Sequence, residues 1–132
     1  MGFEELPHTA DWSLRVWAKS LPALFAEAAR GMYALSGANQ AEGPKVKRTF
    51  EAEATDAESL LVAFLSELVY AVEQEHLIFD EFDVQVEGIK LKVEMSGAPI
   101  LSLTKAIKAV TYHNLQIRPT ARGYEVEIVF DV

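Results

Sequence analysis

Two anionic groups sit side by side at the last two positions of the chain. Asp131 directly precedes Val132, so a side-chain carboxylate and the α-carboxylate of Val132 lie within a few ångströms of each other. Anions that close repel. A cation relieves the repulsion, and hard oxygen donors favour calcium or magnesium over softer metals. The alternative is a solvated strand end. Covalent chemistry finds little support elsewhere. There is no cysteine, which excludes disulfides, thiolate metal sites and cysteine nucleophiles together and leaves the redox compartment open. No nucleophile stands with a paired base, and no glycine-rich phosphate loop is present.

A strand must deliver that terminus. Tyr124, Val126, Ile128, Phe130 and Val132 fall on one face by the period of two, while Glu125 and Glu127 point the other way, as in a strand with one face on a core. It reads as a central strand. Before it, Trp12 to Ala18 alternates in the same way, behind the polar turn Pro7-His8-Thr9-Ala10-Asp11. Ser20 is a candidate N-cap, Pro22 occupies the first turn, and Leu21, Leu24, Phe25, Ala28, Met32 and Leu35 follow helical spacing up to Gly37.

Val46 to Glu53 reads as an edge strand, with Arg48 an awkward member of its apolar face. Thr55-Asp-Ala-Glu58 has the pattern of a capping box, with Thr55 as cap and Glu58 reaching back. The run from Leu60 to Val72 carries the broad apolar stripe of a helix lying on a sheet. Phe82–Val86 and Ile89–Met95 form a hairpin around Glu87-Gly88, and Ser96-Gly-Ala-Pro99 breaks the pattern. Leu103 to His113 reads as a helical turn leading into a strand, and Leu115–Arg118 pairs with the final strand across Pro119–Gly123. His76 reads as a helix-end residue.

At 132 residues and 50% hydrophobic, the chain has one domain's worth of core. The expected fold class is α+β: a single-domain, two-layer sandwich over residues 1–132, with a mixed β-sheet and two main helices packed on one face. No signal peptide and no apolar run of spanning length is evident, so the expectation is a cytoplasmic protein without a membrane role. The net charge of −8 argues against direct, unassisted nucleic-acid binding and suits a metal ion or a basic protein partner.

Five stretches together resemble the archease family: Pro7-His-Thr-Ala-Asp11, the Ser20–Leu35 helix with its Leu-Phe-x-x-Ala-Ala core, Leu60-Leu-x-x-Phe-Leu-x-Glu-Leu68, Ile107-Lys-Ala-Val-Thr-Tyr-His113 and terminal Phe130-Asp-Val132. They run in the family's order over nearly the whole chain. The resemblance implies a small α+β protein that is not itself an enzyme. It would activate the GTP-dependent tRNA-splicing RNA ligase, promoting guanylylation of the ligase and its multiple turnover in tRNA splicing or RNA repair. RNA would be met only indirectly, through the ligase. The resemblance further implies a divalent metal, calcium, held by Asp11, Asp131 and the terminal carboxylate of Val132, which agrees with the cost of gathering carboxylates without a compensating cation.

Three further residues carry paired readings. Lys108 matches the family's Lys-Ala-x-Thr lysine and either contacts a carboxylate or the partner's nucleotide site, or is an exposed lysine. Glu67 matches an acidic position on the second helix and is either a ligand or a solvated helix-face residue. His8 either donates to Asp11 from behind the metal or stabilises its own turn. His113 reads as structural among apolar neighbours. The chain departs from the family pattern at Trp12 and in a shorter Met95–Lys105 segment lacking an acidic, histidine-containing loop, which bears on partner contact. Two rivals stand beside the activator: a chaperone-like interaction module without a metal role, and a metal-dependent hydrolase built on Asp11, Asp131 and His8.

Overall fold

A computed structural model describes residues 1–7 and 11–132. In chain order the elements are β1 (Gly2–Leu6), β2 (Trp12–Ala18), α1 (Leu21–Ser36), β3 (Asn39–Gln40), β4 (Val46–Glu53), α2 (Ala57–Tyr70), a π-helical turn (Ala71–Glu75), β5 (Leu77–Glu87), β6 (Lys90–Ser102), β7 (Ala109–Val110), β8 (Arg118–Thr120) and β9 (Gly123–Asp131). The α+β class and the two main helices match the sequence reading. The strands, however, sort into two sheets. Among the described residues every pairing is antiparallel, so a five-stranded and a four-stranded antiparallel sheet replace the expected mixed one. The cause lies in the connections: no strand is followed by a crossover that returns it parallel to a neighbour.

The first sheet runs β1-β2-β9, with β7 and β8 both on the far edge of β9. Its inner face carries Leu14, Val16, Ala18, Val126, Ile128 and Phe130, all at most 1% exposed. On the outer face Arg15 donates to Glu4 at 2.9 Å and to Glu127 at 3.0 Å, so one guanidinium ties three strands together. In the second sheet β6 lies between β4 and β5. Both helices and both sheets contribute to one apolar cluster, with Phe25 and Phe64 stacked at 6.3 Å between ring centres.

Local signals hold at α1. Ser20 Oγ accepts from Ala23 N–H at 3.3 Å, proline sits in the first turn, and Gly37 ends the helix at φ 64°, a left-handed conformation that costs glycine no steric penalty. The cap of α2 is a correction. Asp56, not Thr55, caps the helix, accepting from Ser59 N–H at 2.7 Å. A carboxylate also meets the positive end of the helix dipole, which a hydroxyl does not. Glu58 does not reach back; it accepts from Ile117 N–H at 2.9 Å.

Two other expectations change. Ser96-Gly-Ala-Pro99 does not break the strand, because β6 continues through it to Ser102. A bulge between Phe79 and Glu81 of β5 presses its backbone on Gly97, where a Cβ would lie 2.2 Å from the Ile78 carbonyl oxygen. Pro99 stays in the ladder opposite Leu77, and its carbonyl accepts from Ala41 N–H at 2.8 Å. The segment before β7 forms no helical turn. It is irregular chain pinned at Thr104 and Lys105, whose N–H groups both donate to the Ser36 carbonyl, so carbonyls left open at the end of α1 outcompete a local turn.

Arg48 resolves its awkward position on the edge strand. It is half-buried, ion-paired to Glu75 of the π-helical turn, and its guanidinium lies 5.5 Å over the Phe79 ring. An inward charge on an edge strand also discourages a further strand from pairing there. His76 closes that turn at φ 55°, as a helix-end residue.

Candidate metal centre

The β2–β9 pairing decides where the acidic residues come together. Its register runs from Ala18 opposite Tyr124 to Trp12 opposite Phe130. Asp131 is the last residue of β9, and Asp11 is the bend residue directly before β2, one position past the Trp12–Phe130 pair. On the other edge of β9, Ala109 pairs with Asp131, and the Lys108 N–H donates to the Asp131 carbonyl at 2.8 Å. Asp131, the last residue of the central strand, is thus flanked by the Asp11 end of β2 and the Lys108 end of β7.

Each candidate has a definite place. Asp11 is partly buried and lines a shallow depression of about 350 Å³ with Glu5, Leu6, Pro7 and Trp12. The Asp131 side chain is exposed, and Val132 is half-buried, packed against the core. Lys108 is exposed and makes no ion pair among the described residues. Glu67 is half-buried on α2 and acts on Arg48, helping to hold that guanidinium charged after the larger effect of its hydrogen bond to Glu75. His8 lies outside the described residues. His113 is a correction: it is exposed in the turn before Asn114, which has φ 52°, and its Nε2 lies 3.3 Å from the Asn114 amide.

Among the described residues, no group of three or more His, Cys, Asp or Glu side chains gathers as a metal-holding set. Asp131 ends β9 and Asp11 lies just before β2, and the α-carboxylate of Val132 is the third anion of the expected set. These oxygen donors fit a hard divalent cation and offer nothing to a thiolate-seeking one. Sequence reasoning missed Glu58, which anchors the loop before β8 through Ile117. It also missed Tyr33, whose buried hydroxyl accepts from Phe79 N–H at 3.2 Å on β5. Burial raises the Tyr33 phenol, so it stays protonated. A buried aromatic with a polar tip was the available signal.

The fold is that of a small α+β protein whose central strand β9 ends at Asp131. The Archease protein family profile matches residues 3–132. The protein archease of Methanopyrus kandleri is 32% identical over 140 aligned residues, covering 100% of both chains. That of Methanosarcina barkeri is 31% identical, covering 98% of this chain and 95% of the other. The chain belongs to the archease family. Among solved structures, Methanobacterium thermoautotrophicum protein 1598 superposes with TM-score 0.74 at 22% identity, covering 99% of each chain. A Thermotoga maritima archease, described as a possible chaperone, gives 0.72 at 22% identity, covering 98% of this chain and 96% of that one. At that identity the two structures speak to the fold alone. Among the described residues no helix is long and apolar enough to cross a membrane.

Proposed function

We propose that this chain is a non-catalytic cofactor protein that activates a GTP-dependent tRNA-splicing RNA ligase in the cytoplasm, promoting its guanylylation and multiple turnover. The supporting observation is the β2–β9 register, which pairs Trp12, the residue after Asp11, with Phe130, the residue before Asp131, in an archease-family chain. In this reading Asp11, Asp131 and the α-carboxylate of Val132 hold a divalent cation, calcium, with His8 behind Asp11. The bound cation supplies neutralising charge and a Lewis-acid contact for anionic groups. The Asp131 backbone is held by the chain itself, through the Lys108 N–H on its carbonyl.

The test is GTP-dependent guanylylation of the cognate ligase with the native chain, with Asp131→Ala, and with a version extended by a few residues beyond Val132. The expected result is acceleration by the native chain alone. If neither native nor altered chain accelerates the step, the ligase reading is lost. The Thermotoga maritima description as a possible chaperone favours a second reading, an interaction module without a metal role; full activity in both altered chains would select it.

A further inference from the structure

Charge is unevenly distributed along this acidic chain. From Met95 to Tyr124 it carries Lys105, Lys108, Arg118 and Arg122 and no Asp or Glu, so the excess that sets the net charge of −8 lies wholly outside this stretch. Arg118 and Arg122 are occupied. Both pair with Glu125, and Arg122 also lies 4.1 Å over the Trp17 ring. Lys105 and Lys108 make no ion pair among the described residues and are exposed. Tyr112, 59% exposed, and exposed His113 follow on the same segment.

The segment is irregular but held. Lys105 N–H donates to Ser36, Lys108 N–H to Asp131 and Thr111 N–H to Val129, while the Thr111 hydroxyl also donates to Val129 at 3.0 Å. Ile107 and Val110 are buried at 7% and 9% exposure. Cations and ring are therefore carried outward on a backbone that need not be ordered on binding. Exposed point cations and an exposed aromatic ring carried on one short segment suit phosphates and bases, since stacking needs only a π-face and the phosphates need only charge. An acidic peptide would use the lysines and leave the ring idle.

We propose that Thr104–His113 is a direct contact surface for single-stranded RNA, with Lys105 and Lys108 meeting phosphates and Tyr112 stacking on a base. The net negative charge keeps binding weak in the free protein, so the surface adds to a larger one rather than capturing RNA alone.

The experiment is a ¹⁵N–¹H amide titration of the chain with octauridylate at low salt, and with octaglutamate as a matched polyanion. Shift changes confined to Thr104–His113 are expected with the RNA. The log–log salt slope should be about −1.4, from two phosphate contacts on a single strand. Tyr112→Ala should weaken binding about tenfold, the scale of one lost stack, whereas Tyr112→Phe should retain it. Lys105→Glu combined with Lys108→Glu should abolish the shifts. No shifts, shifts elsewhere, or equal shifts with octaglutamate together with an inert Tyr112→Ala would overturn the proposal. No ligase is present, so this result is independent of the guanylylation assay.

Discussion

Gly97→Ala tests the packing of the β5–β6 bulge directly. A methyl group at Gly97 would stand 2.2 Å from the Ile78 carbonyl oxygen and 2.7 Å from the Phe79 Cα. Both atoms are backbone, so no rotamer change relieves the contact. The two strands must separate by more than an ångström at a point where Phe79 pairs with Gly97. Overpacking typically costs 1–3 kcal/mol, and a clash with fixed backbone belongs at the upper end, about 3 kcal/mol. For a chain of this size that lowers Tm by roughly 10 °C. Gly31→Ala is the control. Its added methyl would meet Leu14 Cδ2 at 2.6 Å and Phe3 Cγ at 3.0 Å. These are side chains that can turn aside, and alanine gains about 1 kcal/mol of helix propensity over glycine. Its Tm should stay within about 4 °C of the native value. The readout is thermal unfolding by circular dichroism. Equal losses in the two variants, or a Gly97→Ala loss under about 3 °C, would refute the reasoning.

Tyr33→Phe leaves the Phe79 N–H without its acceptor and should cost about 1–2 kcal/mol in urea unfolding with an unchanged m-value. Acid should destabilise the fold through Asp56 and Glu75. The Ser59 N–H holds the Asp56 carboxyl below 3.8, and Arg48 holds that of Glu75 below 4.5. A depressed native pKa gives stability that is fully present above the ordinary value and lost as pH falls through the depressed one, so Tm should decline below about pH 4. Asp56→Asn keeps the cap acceptor but not its charge at the helix end, so Tm should fall slightly at neutral pH, yet lose less on acidification. Calcium at a hundredfold excess over its dissociation constant should stabilise the native chain by about 2.7 kcal/mol, measured as a rise in Tm over chelator-treated protein. Asp131→Ala should abolish that rise. Glu58→Ala should speed hydrogen exchange at the Ile117 amide while leaving that at Val126 unchanged.

Much of the frame was legible because local chemistry and tertiary context agree. Ser20, Pro22 and Gly37 mark the two ends of α1, the alternation from Tyr124 to Phe130 marks β9, and Gly88 turns the β5–β6 hairpin at φ 60°. Misreadings fell where a residue's usual local role was overridden from a distance. Gly97 and Pro99 look like chain punctuation, but one makes room for Ile78 and the other lends its carbonyl to Ala41. Thr55 and Glu58 look like a capping box, yet Asp56 brings a charge to the helix end and Glu58 is claimed by Ile117. The Leu103–Lys108 segment lost its turn to the end of α1. Asp131 stood out in the sequence by its position alone. Asp11 stood out only through the family resemblance, because the register that sets the Asp11 end of β2 against β9 is fixed by packing over the whole sheet.

The pairing of β2 with β9 also sets when the molecule becomes complete. Arg15 and Glu127 are bonded across 112 positions of sequence, so the loop that β9 closes takes in both helices and the entire second sheet. Closing so long a loop carries its entropic cost before any contact rewards it, which makes this a slow step in folding. A chain still emerging from the ribosome has β2 with one edge unmet and Leu14 and Val16 without their cross-strand partners. Exposed edges of that kind are where intermediates aggregate. The same step pairs Trp12 with Phe130 and gives Asp131 its place between β2 and β7. That end of β9 is therefore assembled only once the strand has docked in this register.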